Sequence, residues 1–260
     1  MRFAPGSDLH GCAELVQRAD PERFRAVMAA PVAARAALFP IYAFNIEVAR
    51  APWVTAEPMI AEMRLQWWRD ALDEIRAGGA VRRHAVVTPL AQVLDAEGAA
   101  LLDGVVEARR LDIEKAPFAN RGALMAYLAA TGGALMQAAA RALGDRDGRA
   151  ALALGTGSAL AGYLRAVPEL EARGKLPLPD GRPEAVAELA RQGLARLAEA
   201  RALRGTVVGE ARPALLAAAM AAPVLRRASD APARVAQGGL MPPEAQVRAR
   251  WLWVGMTGRW

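Results

Sequence analysis

Residues 38–53 read LFPIYAFNIEVARAPW, and the fold class follows from how this stretch is bounded and what it holds. Pro31 opens a helix ahead of it and Pro52 closes it, because proline suits a first helical turn and breaks an interior one. Pro40 lies inside the run, to about Arg50, and predicts a kink. Glu47 is the one carboxylate in the stretch.

The neighbouring segments read the same way. Asp8 caps a helix through about Ala19, and Asp20-Pro21-Glu22 restarts one, with Asp as cap and Pro at the first helical position. From about Ala56 to Ala77, Ile60, Met63, Trp67, Ala71 and Ile75 recur at helical spacing and predict the core face. Glu62, Gln66, Arg69, Asp73 and Arg76 form the opposite face. Gly78-Gly79 stops this helix. A basic loop follows at Arg82-Arg83-His84. Thr88-Pro89 starts a short helix, and another runs from about Ala99 to Arg110.

Residues 122–140, GALMAYLAATGGALMQAAA, carry no charge and reach the length of a membrane span. Their Ala and Gly content, with Thr131 and Gln137 inside, reads instead as a buried bundle helix ending near Gly144. A helix from Gly148 to Val167 is expected to close at Pro168. Leu176-Pro177-Leu178-Pro179 is extended, since each proline disfavours helix in the residue before it. Helices from about Pro183 to Arg204, Pro213 to Ala228 and Pro243 to Val254 complete an all-α chain. No strand alternation or internal repeat interrupts it, so one helical domain over residues 1–260 is expected.

Composition narrows the function classes. Of 260 residues, 54% are hydrophobic, 23% charged and only 5% aromatic, so alanine and leucine fill most of a sizeable core. Lys115 and Lys175 are the only lysines, and arginine supplies the rest of the +6 formal charge. The arginines are scattered among Asp and Glu without interleaved aromatics, which argues against a nucleic-acid surface. Cys12 stands alone, so neither an intrachain disulfide nor a cysteine cluster for zinc can form. His10 and His84 have no metal-binding company and read as surface or capping residues. MRFAPGSDLHG contains no apolar signal core, so a reducing, cytoplasmic setting is expected.

A magnesium site between two facing helices of such a bundle would use carboxylates. Magnesium prefers hard oxygen ligands, and Asp or Glu one helical turn apart project to one side and share metals. Asp70, Asp73 and Glu74 have that spacing, but Arg69 and Arg76 interleave with them and predict a solvated ion-paired face instead.

Four segments carry a resemblance: RFRAVMAAPVAARAALFPIYAF, RLQWWRDALDEI, PFANRGALMAYLAATGGALM and GYLRAVPELEARGKLPLP. Together they resemble the squalene/phytoene synthase family over nearly the whole length. The resemblance implies an all-α isoprenoid-synthase fold and a family chemistry that joins two prenyl diphosphates. It also implies where the family's metal ligands would stand. The acidic positions of the first motif fall on Ala49, Arg50 and Trp53, beside Glu47, and a phosphate-facing arginine falls on Ile46. In the second motif, polar positions fall on Ala159 and Gly162 and aspartates on Ala166 and Leu170, while Glu169 keeps a carboxylate. Arg165, Arg173, Gly174 and Leu178-Pro179 are retained.

On this correspondence the frame survives without its metal ligands, so no catalytic residue and no metal cofactor are expected. The runs Ala43–Ala49, Met63–Trp68 and Leu164–Pro168 resemble a non-catalytic branch of the family that serves in assembly of respiratory NADH dehydrogenase (complex I). That resemblance implies complex I subunits or assembly intermediates as partners, with peripheral contact at the inner membrane compatible with it. Two other readings stay open. One is a residual prenyltransferase, which would require Mg. The other is an isoprenoid- or quinone-binding protein, whose tunnel Trp53, Trp67 and Trp68 would either line or fill. Trp251, Trp253 and Trp260, with Arg248, Arg250 and Arg259, read as docking a last helix, with a membrane-surface anchor as the alternative.

Overall fold

The structure, a computed structural model, describes residues 4–55, 57–114 and 116–260. Met1–Phe3, within the segment read for a signal, Ala56, the expected helix start, and Lys115 lie outside the described residues. Fourteen α-helices occur among them: α1 (Asp8–Ala19), α2 (Pro21–Ala29), α3 (Val32–Arg50), α4 (Pro58–Ala77), α5 (Val87–Leu90), α6 (Ala96–Ala108), α7 (Arg121–Leu128), α8 (Ala134–Ala142), α9 (Arg149–Ala172), α10 (Pro183–Ala202), α11 (Arg212–Leu215), α12 (Ala221–Asp230), α13 (Ala233–Ala236) and α14 (Glu244–Thr257). No strand occurs among the described residues.

Helix starts follow local chemistry. Ser7, one residue before the expected Asp8, accepts from the His10 N–H, as Asp20 does from Arg23, Asp95 from Gly98 and Asn120 from Ala123, each satisfying an amide that the first helical turn leaves free. The uncharged segment is two helices, α7 and α8, joined without a break by a π-helical turn, Ala129–Gly133. Leu124, Tyr127, Leu128, Leu135, Met136 and Ala138–Ala140 are buried along it. By length and composition, three segments are apolar enough to cross a membrane: Val32–Trp53, Arg121–Ala142 and Arg149–Ala172. Between 61% and 67% of each window is buried inside the fold.

Three expectations need correction. The helix from Gly148 does not close at Pro168, because α9 runs on to Ala172. Proline removes one backbone bond and crowds the carbonyl four residues back, but Leu164 and Val167 beside it are buried and hold the helix on the core. The helix stops where Gly174, at φ +77°, lets the Lys175 N–H reach the Leu170 carbonyl at 3.0 Å and the Gly174 N–H reach Glu171 at 2.8 Å. The segment expected as one helix from Pro213 to Ala228 is split into α11, a short 3-10 turn and α12.

The third correction concerns the core face of α4. Ala71 and Ile75 are buried as expected, but Ile60 is 46% and Met63 66% exposed, and Trp67 is half-buried. The buried stripe is Ala61, Leu65, Trp68, Leu72 and Ile75. Two apolar stripes compete on this helix, one residue apart. The core takes the one that seats Trp68 edge-on against Phe44 of α3, with ring centroids 5.3 Å apart.

Helix α9 lies at the centre, packed on α10, α8, α12 and the π-helical turn. At the C-terminus, α14 docks through Val254, which is fully buried, and Trp251, against Ala26, Leu216 and Ala219. Trp260 is buried as well.

Candidate functional site

Helices α3 and α9 carry the two stretches expected to correspond to metal motifs. On α3, Ile46 is buried in the core, Glu47 and Ala49 are half-buried, Arg50 is exposed, and Trp53 is half-buried just past the helix end. On α9, Ala159, Arg165, Ala166 and Leu170 are half-buried, while Gly162 and Glu169 are exposed. Only Glu47 and Glu169 among these offer a carboxylate.

These residues do not converge on one cavity. Ala159 lines a void of about 20 Å³, together with Arg23, Tyr42, Gly132 and Gly155. Such a space admits about one water molecule. Its walls are held close by the crossing of α9 with the π-helical turn. A Cβ built on Gly155 would lie 2.5 Å from the Gly132 carbonyl oxygen, and one on Gly132 would lie 2.4 Å from Ala159 Cβ. Tyr42 donates its hydroxyl to the Ala214 carbonyl at 3.4 Å. Burial pushes that hydroxyl up to about 12, so it stays protonated.

Gly162, Arg165, Ala166 and Glu169 instead line an open cleft of about 720 Å³ against α2 and α12. Its charges are largely paired. Arg165 meets Glu22 at 2.7 Å, Arg23 meets Asp20 at 2.6 Å, and Glu169 pairs with Arg173 one turn on.

Trp53 stands at the far end of α9. The Arg173 guanidinium lies 5.4 Å and the Lys175 ammonium 5.6 Å from its ring centroid. An aromatic face therefore sits against two cations, an attraction of about 0.5–2 kcal/mol each. The Trp53–Arg173–Glu169 chain is where the two stretches meet.

Beneath Trp53 lies a buried ionic cluster that sequence reasoning missed. Lys175 donates to Asp112 at 2.8 Å, Tyr127 donates to the same carboxylate at 2.7 Å, and Arg109 does so at 3.1 Å. Lys175 and Asp112 are 3% and 7% exposed. Burial raises the Asp112 pKa, but the Arg109 and Lys175 charges and the donated bonds outweigh it and hold the carboxyl below its ordinary value. The available signal was Lys175 itself, one of two lysines in an arginine-rich chain. Its partner lies 63 residues away in sequence.

The carboxylates on α4 form the expected ion-paired face, with Arg82 and Gln66 as partners beside Arg76. Glu74 is clamped by Arg82 at 2.7 Å, and that hydrogen bonding lowers its pKa. Asp73 pairs with Arg76, Asp70 accepts from Gln66, and Arg69 crosses to Asp103 and Glu107 on α6. His84 accepts the Val86 N–H at Nδ1, a capping role, and packs on Trp67 and Trp68. Among the described residues no three His, Cys, Asp or Glu are grouped to hold a metal ion. The side chains on α3 and α9 do not make the oxygen donor set that Mg prefers.

The squalene/phytoene synthase family pattern matches residues 16–181. The chain is 26% identical, over 67% of its length and 53% of the relative, to NADH dehydrogenase (ubiquinone) complex I, assembly factor 6, of Homo sapiens. It is 30% identical, over 60% of its length and 50% of the relative, to the assembly factor 6 homolog of Drosophila melanogaster. It thus spans about half the length of the curated relatives it matches. In structure it is similar to a crystallised dehydrosqualene synthase in complex with ligand, with a TM-score of 0.76 at 16% identity over 96% of this chain and 95% of that one. That likeness places the helices in the isoprenoid-synthase arrangement. With well over half of its length matched, the chain belongs to the squalene/phytoene synthase family.

Proposed function

We propose that this chain is a non-catalytic member of its family that acts in assembly of respiratory NADH dehydrogenase. The observation that carries the reading is the scarcity of free carboxylates on the two stretches: only Glu47 and Glu169 remain, and Glu169 is paired with Arg173. A prenyl diphosphate needs a metal-held diphosphate site. Losing metal-centred charge stabilisation removes several kcal/mol of transition-state stabilisation, which is several orders of magnitude in rate. The names of the curated relatives support the assembly role. No metal cofactor is part of this proposal.

An assembly factor needs a surface rather than a pocket. Met59, Ile60 and Met63 of α4 are exposed together with Val54 and Leu111, on elements that pack side by side. Methionine-rich apolar patches adapt to partner surfaces. The proposed client is a subunit or assembly intermediate of NADH dehydrogenase, met on the cytoplasmic face of the respiratory membrane.

A second reading has its own support. A groove of about 960 Å³ between α7, α9 and α10 is lined by Met125, Ala126, Ala129, Leu152 and Ala153, with Arg149 and Arg196 at its sides. An isoprenoid or quinone tail fits such a lining, and native mass spectrometry of the purified protein would reveal it.

The test of the first reading is diphosphate release from farnesyl and geranylgeranyl diphosphate with excess Mg, beside an active family synthase as control. No release is expected. Release at the control's rate would refute the non-catalytic reading.

A further inference from the structure

The net charge of this chain is not spread over it. Nine arginines and three carboxylates fall in residues 201–260, against 33 basic and 27 acidic residues in all. The whole surplus of six therefore sits in the last sixty residues, and the first two hundred balance.

The structure gathers part of that surplus around α14. Arg201 on α10 and Arg226 on α12 are exposed and form no ion pair among the described residues. Both lie close enough to Arg250 of α14 for their charges to act on it. Burial first, then those two charges, hold the Arg250 guanidinium below its ordinary value. Arg250 donates to the Ala219 carbonyl at 3.0 Å and lies 4.5 Å from the Trp253 ring centroid. Like charges placed side by side without counterions cost stability, and an outside anion relieves that cost.

The same helix exposes apolar groups. While Trp251 and Val254 dock on the core, Leu252 is 68%, Trp253 39% and Met256 86% exposed. Residues 252, 253 and 256 share one helical face by their spacing. Arg248, paired with Glu244, lies one turn before this face and Arg259 just past its end. Apolar side chains ringed by arginines match a bilayer interface, where phosphates lie above hydrocarbon. An acidic protein surface would satisfy the arginines but would leave Leu252 and Met256 in water.

We infer that the outer face of α14, with Arg201 and Arg226 beside it, is a footing for an anionic phospholipid surface. The footing is independent of the client and of the assembly role, and a chain that met no NADH dehydrogenase subunit would still carry it.

The test is co-sedimentation of the full chain with vesicles of phosphatidylcholine alone or mixed with phosphatidylglycerol. Partition onto the mixed vesicles is expected, at least about tenfold stronger than onto the neutral ones and weakened by salt. Arg201→Ala with Arg226→Ala is expected to weaken partition about thirtyfold, the effect of two surface arginines. Leu252→Ser with Met256→Ser is expected to weaken it at unchanged melting temperature, since both side chains are outside the core. No partition onto the mixed vesicles, or partition that neither variant weakens, would overturn the inference. Binding to polyglutamate without binding to vesicles would overturn it in favour of an acidic protein partner.

Discussion

Replacing Asp112 by Ala removes the acceptor at the centre of the buried cluster. Lys175 loses its carboxylate at 2.8 Å, Tyr127 at 2.7 Å and Arg109 at 3.1 Å, and a buried Lys175 and a mostly buried Arg109 are left without it. Stranding a buried charge by deleting its partner costs about 3–5 kcal/mol, a large share of the roughly 5–15 kcal/mol that holds a domain folded. Tyr127→Phe deletes two bonds, the one it donates to Asp112 and the one it accepts from Arg109 at 2.7 Å, but leaves the carboxylate in place, for about 1–3 kcal/mol. Asp112→Ala combined with Lys175→Met is expected to cost at least about 1 kcal/mol less than the two single losses added together, because the residues are coupled. Urea unfolding followed by helical circular dichroism measures all of these. The pH dependence has a definite sign. The Asp112 pKa is depressed in the folded state, so its stabilisation is complete above the unfolded carboxylate value of about 3.9 and is lost as pH falls through the folded value. A loss below about 1 kcal/mol for Asp112→Ala would refute the reasoning, since it would mean that the cations find solvent once the carboxylate is gone.

Gly155→Ala forces a Cβ within 2.5 Å of the Gly132 carbonyl and 2.9 Å of Gly133 Cα. Backbone on both sides cannot yield cheaply, so a loss of about 2–3 kcal/mol is expected in urea unfolding. Ile60→Glu with Met63→Glu is expected to abolish capture of an NADH dehydrogenase subunit in pull-downs, while changing stability by less than about 0.5 kcal/mol because both side chains are exposed. Cys12 is 1% exposed, and burial, helped by the Asp8 charge, pushes its thiol up to about 12. Thiolate is therefore nearly absent at neutral pH, and a disulfide reagent is expected to label the protein only once it is unfolded.

The helix order was legible because local rules govern it. Asp20-Pro21 announces a helix start that the Asp20 side chain caps, and Pro31 and Pro52 bracket α3 as their backbone chemistry requires. What eluded sequence reading depends on contacts between distant segments. The face of α4 was misread because two apolar stripes lie one residue apart, and only Phe44 on another helix selects Trp68 over Ile60 and Met63. Pro168 was read as a terminator because its missing N–H is local, whereas the buried Leu164 and Val167 that sustain the helix are a tertiary matter. The ionic cluster joins Arg109 and Asp112 of one 3-10 turn to Tyr127 of α7 and Lys175 of the loop after α9, and only the first pair, three residues apart, follows a spacing rule. At the candidate site, the absence of aspartates at Ala49, Trp53, Ala166 and Leu170 could be read directly. The closing of the space beside Ala159 could not, because it depends on how near Gly155 comes to Gly132.

The most direct test of the central claim is the amount of assembled NADH dehydrogenase in a strain lacking this protein, resolved on native gels and stained for NADH oxidation. The account predicts loss of the assembled enzyme, restored by the wild-type chain and not by Ile60→Glu with Met63→Glu. Normal levels of assembled enzyme in the deletion strain would contradict it.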